Sequence, residues 1–285
     1  MSAASALRTP QPLHFQIAGI PFSVLSEHPA HDRWLRTTYQ HFAVSQVPRI
    51  HLSIQRSRHK RLGIHSARQV YWKGTCWVLE SKYFHIREIE PRRSYRATVA
   101  SHVGIADLMR TWFSVVLLAN GGILLHAGAV VRAGRAIVFS GPSGSGKTTL
   151  ARLAGQQPVL SDESVAIAPG PTPGRNGDNV LYAFGTPFFG EMTEGVVNHR
   201  APVGEVFLIS ANRSLVTGDP CRVADVSPAH SVGELLAQTF LRSLSRDALD
   251  VLFPILEAFV GRVRIRRLEF TPTPDVWRAI DELCG

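Results

Sequence analysis

The chain has 285 residues, 45% of them apolar, with 31 Lys and Arg against 22 Asp and Glu, a formal net charge of +9. That length gives room for about two domains, and the apolar share excludes a disordered chain. The charge is uneven: residues 1–110 carry 16 basic and 6 acidic side chains, net +10, and residues 111–285 carry 15 and 16, net −1, so two modules of different chemistry are expected.

The first fifteen residues, MSAASALRTPQPLHF, lack a basic segment followed by an apolar run and do not read as a secretory signal. HDRWLRTTYQHF (31–42) has the spacing of a short helix. IHLSI (50–54), QVYWKGTCWVLE (69–80) and YFHIREIE (83–90) are β-branched and aromatic with near period-two alternation and read as strands. Residues 1–105 are therefore expected to form a basic, sheet-rich α+β domain, a candidate module for presenting substrate. Thr111–Val131 has no Asp, Glu, Lys or Arg and is long enough to cross a bilayer. Asn120-Gly121-Gly122 interrupts it as a helix stop and turn, so the reading is a helix over about 105–119, then a buried strand ILLHAGAVV, and no membrane span. A charged turn at Arg132 to Arg135 leads to a second apolar strand, AIVFS (136–140), a glycine-rich loop and a helix, the succession of an α/β core. PGPTPGRNGDN (169–179) reads as a loop. Ser231-x-x-Glu234 has the form of a capping box, and Pro254 is expected to kink or split the helix DALDVLFPILEAFV. A strand VRIRRLEF (263–270) and a last helix opened by Thr273-Pro274-Asp275 follow, the helix burying Val276, Ile280 and Leu283. Cys76, Cys221 and Cys284 form no CxxC pair, which argues against a disulfide framework or structural zinc and for a cytoplasmic, reducing compartment.

Chemistry enters at residues 141–148. GPSGSGKT satisfies G-x-x-x-x-G-K-[ST] in full, between an apolar strand and a helix, as a phosphate-binding loop requires. Glycines let the backbone curl so that its N–H groups converge on phosphate oxygens at the start of a helix. Gly141, Pro142, Ser143, Gly144, Ser145, Gly146, Lys147, Thr148 and Thr149 are thus candidate ATP-binding residues, with Lys147 for the β and γ phosphates and the Thr148 hydroxyl for Mg²⁺. Asp162 and Glu163 follow the strand PVLS (158–161), which places both carboxylates at the sheet edge where phosphate and metal sit. One can hold Mg²⁺ and the other can take a proton from an attacking hydroxyl; the bland alternative is a turn cap. His126, in the strand ahead of the loop, reads either as a core histidine or as a functional one.

His126-Ala-Gly-Ala-Val, then GPSGSGKTT (141–149), then Leu160-Ser-Asp162-Glu163 together resemble the C-terminal catalytic domain of HPr kinase/phosphorylase. The likeness extends to the HPr-kinase-related group encoded near peptide-tailoring operons, some members of which phosphorylate a serine of a lasso-peptide precursor. It is specific over residues 123–168 and looser to about residue 215. The resemblance implies an α/β fold like that of phosphoenolpyruvate carboxykinase, with the P-loop on a mixed sheet, here over residues 106–285. It implies that Lys147 and Thr148 are the P-loop pair, that Asp162 and Glu163 stand for the family's two Asp, and that His126 is its upstream histidine. Members are often oligomers, so it also admits a homo-oligomer. No counterpart of the family's Glu-Ile-Arg-Gly signature occurs; in that region the chain has GTPFFGEM (185–192) and HRAPVGEVFLI (199–209). Glu191 is a candidate metal ligand there and Arg200 a candidate arginine finger.

The leading expectation is an ATP- and Mg²⁺-dependent kinase acting on a serine hydroxyl of a peptide or protein. In it Asp162 is the base, Mg²⁺ sits between Thr148 and Glu163, and Lys147 neutralises developing charge. The alternative is a P-loop ATPase or nucleotide-dependent switch with no phosphoacceptor. A third class, a nucleic-acid-associated ATPase, rests on Arg49 to Lys73, with seven basic and no acidic residues. No groove-reading helix or RNP-type motif accompanies that run, which sets nucleic acid behind a solvated strand face or an acidic peptide as its explanation.

Overall fold

A computed structural model describes residues 10–59, 61–62, 69–73, 76–100, 104–170, 180–192, 198–209, 221–241 and 244–284, without the side chains of Trp72, Leu283 and Cys284. The loop at 171–179, and Lys60 and Arg68 of the basic run, lie outside the described residues.

The N-terminal strands are β1 (Leu13–Ile17), β2 (Ile20–Ser26), β3 (Ile50–Arg56), β4 (Gln69–Lys73), β5 (Cys76–Glu80), β6 (Phe84–Glu90) and β7 (Ser94–Val99). They form one mixed sheet in the order β1-β2-β3-β7-β6-β5-β4. Helix α1 (Pro29–Thr38) is the crossover between the parallel neighbours β2 and β3. Period-two alternation sends Phe15, Phe22, Leu52, Tyr95, Ile86 and Leu79 to one buried face.

Helix α2 (Gly104–Ala119) lies under that face, where Trp112 meets Phe22 and Tyr95 edge-on at 5.1 and 5.7 Å. It stops where Asn120-Gly121-Gly122 turns the chain: Gly121 has φ +77° and the Gly122 N–H bonds to the Leu117 carbonyl. The uncharged run 111–131 is thus a helix and a strand, and no helix among the described residues is long and apolar enough to cross a membrane. The expected boundary between residues 105 and 106 falls inside α2, and one continuous apolar cluster runs from the N-terminal sheet through α2 into the second sheet.

The second sheet is built from β8 (Ile123–Arg132), β9 (Arg135–Ser140), β10 (Val159–Ser161), β11 (Ser164–Pro169), β12 (Leu181–Phe184), β13 (Arg200–Ile209), β14 (Cys221–Asp225) and β15 (Arg264–Phe270). It is mixed: β13 runs parallel to both β9 and β15, and the remaining pairs are antiparallel. The long strand β8 pairs with β11 through residues 123–126 and with β9 through 127–132. Because β11 pairs with β12, β12 with β13 and β13 with β9, these five strands close a circuit of pairings and the sheet curls. The protein is therefore mixed α/β with two mixed sheets.

Four helices complete this part: α3 (Lys147–Leu153), α4 (Pro228–Ala237), α5 (Arg246–Val260) and α6 (Asp275–Cys284). One expectation is corrected here and another is narrowed. Ser231 is not the cap of α4; Ser227 is, accepting from the His230 N–H with Pro228 at the first helical position, and the Ser231 hydroxyl bonds back to the Ser227 carbonyl. The fixed φ of proline selects that start over the capping-box spacing. Of the kink or split expected at Pro254, the split does not occur: α5 runs unbroken from Arg246 to Val260 with this proline on its exposed face. The last helix buries Val276 and Ile280 as the sequence pattern requires.

Candidate functional site

Strand β9 delivers the chain to residues 141–146, and the loop closes on itself before α3 begins. Gly141 has no room for a side chain, since a Cβ there would stand 2.5 Å from the Ile209 carbonyl oxygen. Gly146 has φ +103°, which an L side chain rarely adopts, and a Cβ would meet the Phe270 ring at 2.7 Å. Pro142, Ser143 and Gly144 form the exposed arch, Ser145 and Lys147 are buried, and Thr148 and Thr149 are half-buried. The Lys147 ammonium is threaded back through the loop, donating to the carbonyls of Gly141 and Pro142 at 2.8 and 3.0 Å. Burial lowers its pKa from the ordinary lysine value, with the Glu163 and Asp162 carboxylates opposing that shift. The Ser145 hydroxyl is buried with no hydrogen-bond partner among the described residues.

Ser161 explains how two adjacent carboxylates come to do different things. Its hydroxyl accepts the N–H of Glu163 at 3.2 Å and of Ser164 at 2.9 Å, a local turn that separates β10 from β11. Asp162 goes to one set of partners. It is 1% exposed and accepts four hydrogen bonds: Gly190 N–H on Oδ1 at 3.0 Å, then Glu191 N–H at 2.9 Å, Met192 N–H at 3.2 Å and the Thr148 hydroxyl at 3.3 Å on Oδ2.

Glu163 goes to another set. Its Oε2 lies 3.3 Å from His126 Nε2 and its Oε1 accepts from Arg110 Nη1 at 3.3 Å, while the side chain stays 31% exposed. The strand pairing dictates the first contact, since Ser164 is the register partner of His126 and the Ala127 N–H bonds to the Glu163 carbonyl. Burial pushes the Glu163 pKa up, but the hydrogen bond and charge of His126, with Arg110 and Lys147, outweigh it and hold the carboxyl below its ordinary value.

Lys147, Thr148, Asp162, Glu163 and His126 are thus brought to one end of the curled sheet. Two candidates from the sequence are not. The Glu191 carboxylate turns outward to Arg152 at 3.0 Å with its side chain 72% exposed, so it is the backbone N–H of this residue, not its carboxylate, that reaches the site. Arg200 opens β13, whereas the neighbour of Ser140 in that strand is Leu208. The Arg200 guanidinium lies over the Tyr182 ring at 5.5 Å instead. Asp162 is the more enclosed of the two carboxylates, with three donors on Oδ2 and one on Oδ1, whereas Glu163 keeps one contact per oxygen.

Sequence reasoning missed three contributors. Arg110 carried a signal, being one of only two charged residues in α2. Phe240 packs edge-on against His126 at 6.0 Å and lies 4.9 Å from the Arg110 guanidinium. The turn 190–192 gives main-chain N–H groups to Asp162, and its mark is Gly190, where a Cβ would stand 2.8 Å from Asp162 Oδ2 and 3.0 Å from Glu163 Cβ. Gly190→Ala is accordingly expected to displace both carboxylates and to destabilise the fold by about 1–3 kcal/mol. A urea unfolding midpoint equal to wild type would contradict that packing.

No protein-family model matches this chain, and no curated protein matches it.

Proposed function

We propose that this protein is an ATP- and Mg²⁺-dependent kinase, built on a P-loop core of the HPr-kinase kind, that moves the γ-phosphoryl group of ATP to a serine hydroxyl of a peptide or protein. The observation that carries the reading is the division of labour between adjacent carboxylates. Asp162 backs the Thr148 hydroxyl, and Glu163, half open, stands against His126.

The residues fit the nucleotide and its metal. The loop uses glycine where a side chain would collide, it keeps a buried hydroxyl at Ser145 that has no partner among the described residues, and Lys147 sits inside it. The N–H groups of Ser143, Gly144 and Gly146, with Lys147, would hold phosphate oxygens, and Thr148 with Asp162 behind it would hold Mg²⁺. When bound, Mg²⁺ supplies neutralisation of phosphate charge. Lys147 adds a second positive charge close to both carboxylates. Glu163 receives the serine proton as the serine oxygen bonds the γ-phosphorus and the bond from that phosphorus to ADP breaks. His126 holds the carboxylate that takes the proton. Positioning and charge account for most of such a transfer, so a small set of groups suffices. The net +10 of residues 1–110 favours an acidic peptide as the acceptor's carrier.

The test is to incubate the protein with γ-labelled ATP, Mg²⁺ and the peptides encoded beside its gene, and to locate the label by mass spectrometry. Label on a serine, lost when that serine is replaced by alanine, is the expected result. Label released only as free phosphate, whether or not peptide is present, would contradict it and favour an ATPase or switch.

A further inference from the structure

Arg110 is a cation on a helix otherwise built for burial. Besides Asp107 it is the only charged residue of α2, and the helix sits between the two sheets. Its Nη1 donates to Glu163 Oε1 at 3.3 Å, its Nη2 lies 3.9 Å from Asp107 Oδ1, and its guanidinium lies over the Phe240 ring. Its Nε is buried with no hydrogen-bond partner among the described residues. His126 holds the other Glu163 oxygen and rests against the same Phe240 ring. One aromatic ring therefore backs both groups that grip Glu163, one on each oxygen.

A tie that merely fastened α2 to the second sheet would have a different form. An ion pair at a partly exposed position adds little to stability, and a buried N–H left without a partner subtracts from it. What the arrangement does supply is orientation. A glutamate side chain has three rotatable bonds, and a partner on each of its two oxygens restrains their rotation.

We propose that Arg110 is a positioning residue for phosphoryl transfer: together with His126 it fixes the Glu163 carboxylate in the orientation that faces the incoming serine hydroxyl. This rests on the kinase reading above. In this role Arg110 acts through Glu163, so its loss is expected to act on the chemical step and to spare substrate binding. Misplacement of a reacting group by about 1 Å costs on the order of 10²-fold in rate.

The experiment measures steady-state transfer from labelled ATP to a serine peptide, and MgATP affinity, for wild type, Arg110→Met, Arg110→Lys, Arg110→Ala and Phe240→Leu. Arg110→Met is expected to lower kcat by about 30- to 100-fold, with KM for both substrates and the MgATP Kd within about threefold of wild type. Arg110→Lys is expected to recover part of that loss, and ethylguanidinium added to Arg110→Ala to recover about tenfold, which a merely structural role would not show. Should the Arg110 variants not fold, Phe240→Leu decides, with about a tenfold fall in kcat at unchanged KM expected. Transfer by wild type together with a kcat within threefold in folded Arg110→Met, or in Phe240→Leu where that variant decides, would overturn the role of Arg110 alone. Absence of transfer by wild type would overturn the kinase reading and this role with it.

Discussion

Glu163→Gln is expected to lower phosphoryl transfer by about 10²- to 10⁴-fold, the range for losing a positioned proton acceptor, while MgATP binding stays within a few-fold of wild type. The amide keeps the shape of the side chain and can still accept from Arg110, but it cannot take the serine proton. Glu163 makes one contact per oxygen and remains partly open, so the substitution keeps the Arg110 contact and replaces only the acceptor that faces His126. The measurement is kcat for peptide phosphorylation beside a direct MgATP titration. Equal losses in rate and in nucleotide affinity would mean that Glu163 holds the metal and that the division between the two carboxylates is wrong.

Asp162→Ala is expected to fail differently, in stability as well as in transfer. Removing the carboxylate leaves the N–H groups of Gly190, Glu191 and Met192 and the Thr148 hydroxyl without their acceptor. Hydrogen bonds to a charged group contribute about 1.5–3 kcal/mol each, and they are not additive in one cluster, so a loss of about 3 kcal/mol or more is expected in urea unfolding. Nucleotide binding should lose its Mg²⁺ dependence at the same time, because Thr148 loses the carboxylate behind it. Asp162→Asn keeps one carbonyl oxygen for part of the turn and should fall between the two. A variant Asp162→Ala as stable as wild type would show that the turn 190–192 does not depend on this side chain.

The sequence carried the local elements of this arrangement well. The end of α2 is written in Asn120-Gly121-Gly122, β8 and β9 in their apolar runs, and the loop at 141–146 in glycines that the packing around Ile209 and Phe270 requires. The proximity of His126, Lys147, Thr148, Asp162 and Glu163 follows from the same short stretch, since β8, β9, β10 and β11 are neighbours in both chain and sheet.

What could not be read lies in long-range contacts and in direction. Arg110 stands 53 residues from Glu163 in the chain, and the turn that cradles Asp162 stands 28 to 30 residues away and contributes only main-chain groups. Residue type at 190–192 therefore says little, apart from the glycine. Arg200 was misplaced because its strand runs parallel to β9, so the strand's first residue is at the far end from the loop, and strand direction is invisible in a local pattern. The Ser161 hydroxyl accepts from the amides of Glu163 and Ser164 and so shapes the turn that carries both carboxylates. The partners of the two side chains then separate Asp162 from Glu163, which the pattern alone leaves equivalent.

The most direct measurement is a single turnover: wild type and Glu163→Gln are each mixed with a limiting amount of γ-labelled ATP, Mg²⁺ and an acceptor peptide, and the label is partitioned between phosphoserine and free phosphate. Wild type is predicted to place the label on serine and Glu163→Gln to retain it on bound ATP. Label appearing as free phosphate at the same rate in both proteins would contradict the account.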